Sequence, residues 1–212
     1  MTTTIKSKEK YNHIARVYDL HSKLAEKMWF AAWRRKFFSP LQGTILEVGI
    51  GTGKNIEFYH EKAKVIGIDF SEKMLEKARE RLVISGKTNL SLQQMDVENL
   101  TFKDNSFDYV VTSCVFCSVP DPLKGLQEIR RVLKPTGRLV MIEHVLSKNP
   151  AIALLEQILN PLATFSMGAN VNRNTKQNII NAGMEIIEDK NLALYDIFRL
   201  FIARKVIQNG NG

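Results

Sequence analysis

A carboxylate followed by three glycines on alternate positions, Glu47-Val-Gly49-Ile-Gly51-Thr-Gly53-Lys54, is the first place where residue type and spacing point to chemistry. Glycines let the chain turn sharply and let a ligand lie against bare backbone, and the N-terminus of a helix following them would offer free N–H groups. The dinucleotide fingerprint G-x-G-x-x-G fits badly, because its sixth position falls on Lys54 and the third glycine comes one place early. Two further acids stand at comparable places. Asp69 closes the apolar run Lys64 to Asp69, where a carboxylate can meet ribose hydroxyls, and Asp96 follows the alternating run Leu90 to Met95, where it can accept from the exocyclic amine of an adenine. One acid at a strand end is as often a solvated cap. Three ligand-facing features at the ends of three successive runs describe a nucleoside site.

Such residues need strands that end on one edge of a sheet. Thr44 to Gly49, Lys64 to Asp69, Leu90 to Met95, Phe107 to Ser113 and Arg138 to Glu143 read as five strands, separated by segments of helical period. A helix is expected over Lys54 to Glu61. A second is capped by Ser71, has Met74, Leu75, Ala78 and Leu82 on one face, and is ended by Gly86. A third, Asp121 to Leu133, has Pro122 in its first turn and is stopped by Pro135 and Gly137. Strands alternating with helices pair in parallel through right-handed crossovers, which gives a doubly wound α/β fold. After residue 143 the rhythm changes to an apolar insert over Asn149 to Gly168, a helix over Thr175 to Ala182, and strands at Met184 to Lys190 and Ile197 to Lys205. Six residues between the last two forbid a parallel crossover, so the last of seven strands is antiparallel in a mostly parallel sheet.

The 212 residues, 44% hydrophobic and 25% charged, suit one soluble globular domain. The net charge of +8 is uneven: residues 1–43 hold nine bases against three acids, and the remainder is almost neutral. We therefore divide the chain into a helical N-terminal cap, 1–43, and a main domain, 44–207, with a substrate cover at about 149–173. A basic arm suits nucleic acid, an anionic membrane surface or a solvated helix face. The polar start MTTTIKSKEK lacks the apolar stretch of a signal peptide, and only two cysteines, Cys114 and Cys117, are present, so the expected compartment is the cytoplasm. Ala151 to Met167 is the longest apolar window, interrupted by Glu156, Gln157, Asn160 and Pro161, which argues against a membrane span.

In order and spacing, EVGIGTG, GIDFS with Met74, QMDVENL, FDYVV and RRVLKPTGRL resemble the class I S-adenosylmethionine-dependent methyltransferases with a Rossmann-like fold. The resemblance is strong over residues 44–143 and looser elsewhere, and Thr136 departs from the second glycine usual after Pro135. It implies S-adenosylmethionine as cofactor, with Gly49 and Gly51 under its methionine part, Asp69 on the ribose, Phe70 and Met74 flanking the adenine, and Asp96 with Val97 reading the amine. Glu47 and Gly53 belong to the same motif. Cys114 and Cys117 are expected as two small apolar residues on the cofactor floor, and the preface Ile14 to Asp19, which resembles that of quinone-biosynthesis C-methyltransferases, places Tyr18 near the carboxylate end. Together the segment CSV after the fourth strand, Glu143-His144-Val145 and Gly168 to Arg173 look most like membrane-associated thiol methyltransferases and bacterial phospholipid N-methyltransferases.

The Asn/Asp-Pro-Pro-aromatic motif of base-modifying methyltransferases is missing after the fourth strand, which speaks against nucleic acid despite the charge. Cys114 and Cys117 lack the second pair that a zinc site requires, so no metal is expected. His144, at the end of the fifth strand, is the candidate general base, since an imidazole with a reference pKa near 6.5 can take a proton from a thiol or hydroxyl; His13 and His21 are secondary. Between Ser22 and Phe38, Met28 or Trp29, Trp33 and Phe37 line one helix face beside Arg34, Arg35 and Lys36, the pattern of an interfacial helix with peripheral membrane contact. An apolar cover argues for a small or lipid-like acceptor. A nucleic-acid or protein methyltransferase, and a cofactor-binding module without turnover, are the alternatives; the oligomeric state is not written in the sequence.

Overall fold

The computed structural model describes residues 30–147, 149–167, 170, 173–193 and 196–206. Tyr18, His13, His21, Met28 and Trp29 lie outside them. A short helix, α1 (Ala31–Phe37), leads into β1 (Gly43–Val48), β2 (Ala63–Asp69), α2 (Glu72–Ser85), β3 (Leu90–Gln94), β4 (Phe107–Ser113), α3 (Pro122–Val132) and β5 (Leu133–His144). Then follow α4 (Pro150–Met167), α5 (Thr175–Asn181), β6 (Met184–Ala193) and β7 (Phe198–Lys205).

All seven strands form one sheet in the order β3-β2-β1-β4-β5-β7-β6. The first five are parallel, and β7 runs antiparallel between β5 and β6, as the short final connection requires. The order reverses between β1 and β4, so the crossovers from these strands leave in opposite directions and open a crevice at their carboxyl ends. Alternation along the strands builds two cores: Leu46, Val110, Leu139 and Met141 pack on one side, and Ile45, Val111, Val140 and Ile142 on the other.

The capping chemistry appears where expected. The Ser71 hydroxyl accepts from the Met74 N–H at 3.3 Å, Gly86 ends α2 in the left-handed region, and Asp121 caps α3 ahead of Pro122. Two segments differ from expectation. Instead of a helix over Lys54 to Glu61, only one 3-10 turn forms, at Ile56–Phe58. Asn55 and Tyr59 are both drawn to the buried carboxylate of Glu47, and Tyr59 leaves the helical region to reach it. Strand β5 starts at Leu133, ahead of the expected Arg138, with Phe107 paired to Leu133 and Tyr109 to Arg138; the Lys134 to Gly137 stretch is an irregularity within it.

The basic, aromatic helix is also corrected. Trp33 and Arg34 are both buried, with the Trp33 ring 5.0 Å from Phe30 and 5.8 Å from Phe198 of β7. These aromatics pack on the sheet, and Arg34 is no solvent-facing rim. Among the described residues no helix is long and apolar enough to cross a membrane.

Candidate active site

A cleft at the carboxyl ends of β1, β2, β3 and β4 contains about 670 Å³ of space, part of it open to solvent. It lies at the reversal of strand order, where open α/β sheets take ligands. Gly49, Gly51, Asp69, Phe70, Met74, Asp96, Val97 and Cys114 line it. Eight of the residues expected from sequence are thus brought together from four strand ends.

The glycines do different work there. Gly49 has φ +66, and a Cβ on it would fall 2.5 Å from a Val115 methyl, so it lets the β1 turn pass against the far wall of the cleft. Gly51 has φ +57, and a Cβ on it would meet nothing nearer than the Gly49 carbonyl at 4.0 Å. Bare backbone there faces open space that a ligand can occupy.

Asp69 is buried and fixed by backbone: Oδ2 accepts from the Gly51 N–H and Oδ1 from the Ser71 N–H, both at 2.9 Å. Burial pushes its carboxyl up to about 6, with the bonds from Ser71 and Gly51 opposing. Each carboxylate oxygen has a second lone pair. Asp96 is held by the Glu98 N–H at 2.9 Å, while Gln94 donates to the Phe70 carbonyl and secures the turn carrying Phe70.

Glu47 and Gly53 do not line the cleft. The Glu47 carboxylate is buried behind it, accepting from Asn55 Nδ2 at 2.5 Å and from the Tyr59 hydroxyl at 2.9 Å, and burial raises it to about 7. Gly53 lies against Ile56 and Ala78. Both residues support the glycine turn from behind.

The opposite wall was only partly foreseen. Ser113, Val115, Ser118 and Val119 join Cys114 in lining the cleft, whereas Cys117, expected on the same floor, is buried outside the lining. Cys114 has φ +55, a rare conformation for a non-glycine residue, with its N–H bonded to the Ile142 carbonyl. Glu143 anchors this wall: it accepts from the Thr112 hydroxyl and the Val115 N–H at 3.0 Å, and from the Phe116 N–H at 3.2 Å. Burial lifts the Glu143 carboxyl to about 7 against these bonds. Both cysteines are free thiols; burial, with the Glu143 charge, pushes Cys117 up to about 12 and Cys114 well above its ordinary value, so neither is a ready nucleophile.

His144 ends β5 as expected but is not among the cleft-lining residues. Its ring meets the Phe198 ring edge-on at 5.4 Å, and its Nε2 lies 3.7 Å from Oε1 of Glu156 on α4. Glu156, read from sequence as an interruption of an apolar run, is buried and accepts from the Ser147 N–H at 2.8 Å.

Residues 46–141 match the family model described as a methyltransferase domain. The chain is 37% identical over 118 residues to a phosphatidylethanolamine N-methyltransferase of Cereibacter sphaeroides, covering 55% of this chain and 58% of that protein. It is 34% identical over 156 residues to a demethylmenaquinone methyltransferase of Shouchella clausii (strain KSM-K16), covering 70% and 65%. The chain therefore matches less than two thirds of the length of these relatives, 58% of one and 65% of the other. A SAM-dependent methyltransferase from Aquifex aeolicus has the same fold, with a TM-score of 0.66 over 92% of this chain and 98% of that one at 21% identity.

Proposed function

We propose that this protein transfers the methyl group of S-adenosylmethionine to a small or lipid-like acceptor, since residues 46–141 match the model of a methyltransferase domain. One observation carries the reading: a cleft at the strand-order reversal combines bare Gly51 backbone, the buried Asp69 carboxylate and Asp96 with Val97 at three successive strand ends. The residues fit the cofactor. The open space over Gly51 accepts the methionine part, the remaining lone pairs of Asp69 suit two ribose hydroxyls, Phe70 and Met74 offer apolar faces to an adenine, and Asp96 with the Val97 backbone suits its edge.

When bound, S-adenosylmethionine supplies an electrophilic methyl group on a sulfonium centre. The protein's part is positioning: the glycine turn and the Glu143-anchored wall hold the two sides of the cleft at fixed separation, and apolar walls exclude water from the reacting atoms. His144 serves as proton acceptor where the acceptor is a thiol or hydroxyl. Residues 1–43 and 149–173 close over the acceptor in this reading, with Tyr18 toward the carboxylate end of the cofactor.

The relatives named as acting on phosphatidylethanolamine and on demethylmenaquinone support an apolar acceptor for this chain, as does the apolar character of α4. Peripheral contact with a lipid surface follows from the same reasoning. Calorimetry with S-adenosylmethionine and S-adenosylhomocysteine tests the cofactor, and transfer of labelled methyl to phosphatidylethanolamine vesicles, a demethylated quinone, small thiols and RNA tests the acceptor. Binding of NADH but of neither S-adenosyl compound would overturn the assignment. Transfer to RNA, lost on removing residues 1–20, would replace the lipid-like acceptor with nucleic acid.

A further inference from the structure

Helix α4 carries one charged residue in eighteen, and that residue is buried. Glu156 sits on the inward side of a helix whose outward Leu154, Leu155 and Ile158 are exposed, an inversion of the usual pattern that asks what the carboxylate does inside. One oxygen is committed to the backbone, since Oε2 accepts from the Ser147 N–H and so ties the start of the β5–α4 connection to the helix. The other, Oε1, is shut off from solvent, has no hydrogen-bond partner among the described residues, and lies 3.7 Å from Nε2 of His144. An adjustment of less than roughly one ångström turns that approach into a hydrogen bond, and such contacts are commonly long before substrate binds.

We propose that Glu156 is the positioning residue for His144: it receives the Nε2–H, fixes the imidazole in that tautomer, and leaves the Nδ1 lone pair to accept the proton released by a thiol or hydroxyl acceptor as it is methylated. The proposal rests on the methyl-transfer reading. Nδ1 is the other ring nitrogen and is buried, away from bulk water. The edge-on Phe198 ring restricts rotation of the imidazole, and the His144 backbone N–H meets the Cys114 sulfur, which links the dyad to the wall of the cleft.

The charges around the imidazole agree. Glu156 faces it from α4; Asp196, in the β6–β7 connection, lies behind Glu156 and binds the Ser147 hydroxyl at 2.5 Å; Phe198 on β7 is neutral; and the Cys114 thiol at the end of β4 is held protonated. Arg34 of α1 is the buried cation whose charge reaches Cys114. Burial and the Asp196 charge raise the Glu156 carboxyl above its ordinary value, and a proton on the facing imidazole offsets that burden. A His⁺–Glu⁻ pair is thus favoured as the proton arrives.

Nitrogen-15 NMR of histidine-labelled protein tests the pairing without any acceptor, with the His144 resonance assigned by its loss in His144→Gln. The unmutated chain should show the neutral Nε2–H tautomer, and Glu156→Gln, which keeps an acceptor for the Ser147 N–H, should move the His144 titration to lower pH by about one pH unit, the lower end of the effect of an opposite charge at this range. The neutral Nδ1–H tautomer, or a midpoint that does not move in a variant with an unchanged melting temperature, overturns the pairing; should Glu156→Gln not fold, the tautomer of the unmutated chain decides alone. The low-pH limb of kcat/KM for a thiol or phenol acceptor should follow the midpoint downward in Glu156→Gln. A midpoint that moves while that limb stays fixed overturns the role in proton transfer and leaves methyl transfer intact. Failure of the unmutated chain to bind S-adenosylmethionine removes the underlying reading, and with it the role of the pair in methylation.

Discussion

Along the carboxyl edge of the sheet, the acids at the ends of β2 and β3 are held by backbone, and His144 at the end of β5 is held by side chains. Asp69 is fixed by two N–H groups and Asp96 by one, over separations of 18 residues or fewer. His144 is instead set by the Phe198 ring and the Glu156 carboxylate, and Ser147 by Asp196, 49 residues away. Backbone-held groups are stiff and suit a ligand that is always the same. Side-chain-held groups can be changed by single substitutions, which suits the side that meets the acceptor. Damage on the first side should therefore appear as lost cofactor affinity, and damage on the second as altered turnover with the cofactor still bound.

The largest effect should come from Gly49→Ala. Its Cβ would meet Val115 at 2.5 Å in a left-handed backbone position, combining strain of roughly 1–3 kcal/mol with overpacking of a similar size. Since Val115 forms the opposite wall, we expect a lower melting temperature and about a hundredfold weaker S-adenosylmethionine binding, equivalent to about 3 kcal/mol. Unchanged affinity by calorimetry would show that the two walls are not in register across a ligand.

Next is Asp69→Asn, which should weaken cofactor binding by roughly 1–3 kcal/mol, the range for hydrogen bonds to a charged group. The pH dependence has a definite sign. With its folded value raised to about 6 from the ordinary 3.8, Asp69 binds its proton more tightly when folded. Its charge therefore subtracts from stability progressively as pH rises from about 4 to about 6, and removing it should flatten that part of the stability profile. Affinity should move the other way, since the ribose hydroxyls need the ionised form: binding should weaken as pH falls through about 6, and do so less in Asp69→Asn. Parallel profiles for both proteins would detach Asp69 from the ribose.

The same division explains what the sequence made legible. Strand ends, the Ser71 cap, the Asp121-Pro122 start and the antiparallel closure are local, and each was readable from residue type and spacing. So were the glycine turn, Asp69 and Asp96 as parts of one site, while Phe70, Met74 and Val97 came from the resemblance to the class I methyltransferases. The failures share a cause in burial that only the fold creates. The expected helix at Lys54 to Glu61 lost to Asn55 and Tyr59 satisfying Glu47; Arg34, read as a solvated rim, is buried; and the Glu143 anchor is formed with groups 27 to 31 residues away. The left-handed backbone of Cys114 has no sequence signal, because cysteine has no preference for it. The lone acid of α4 did have one: a single charge in a long apolar run marks either a break or a buried partner, and only the fold brings His144 to it.

On the side-chain-held side, His144→Gln should lower kcat for a weakly acidic thiol or phenol about a hundredfold, the lower end of the contribution of a general base. S-adenosylhomocysteine affinity should stay as in the unmutated chain, because His144 is outside the cleft lining. Equal rates from about pH 6 to about pH 9, a span that brackets the ordinary imidazole titration, would leave His144 with a packing role only. Equal loss of rate and cofactor affinity would break the division between the two sides.

The smallest effect on stability, and the most direct test of a lipid-like acceptor, comes from the outer surface of α4. Leu155 and Ile158 are 55% and 65% exposed, so replacing both with Glu removes little packing, and each should alter stability by no more than about 0.5 kcal/mol. A lipid surface would respond more strongly. Burying an apolar side chain fully is worth roughly 1.5–3 kcal/mol, so partial insertion of two should contribute about 2 kcal/mol, or about thirtyfold in vesicle affinity, before the added charges repel anionic lipid. Sedimentation with phosphatidylglycerol vesicles should therefore fall sharply in Leu155→Glu/Ile158→Glu, while cofactor affinity and turnover of a water-soluble thiol stay unchanged. Vesicle binding equal to that of the unmutated chain would remove α4 from any lipid contact. A large drop in melting temperature would mean instead that another part of the chain covers this surface. The two failures are separable, because only the second alters the folded state in the absence of vesicles.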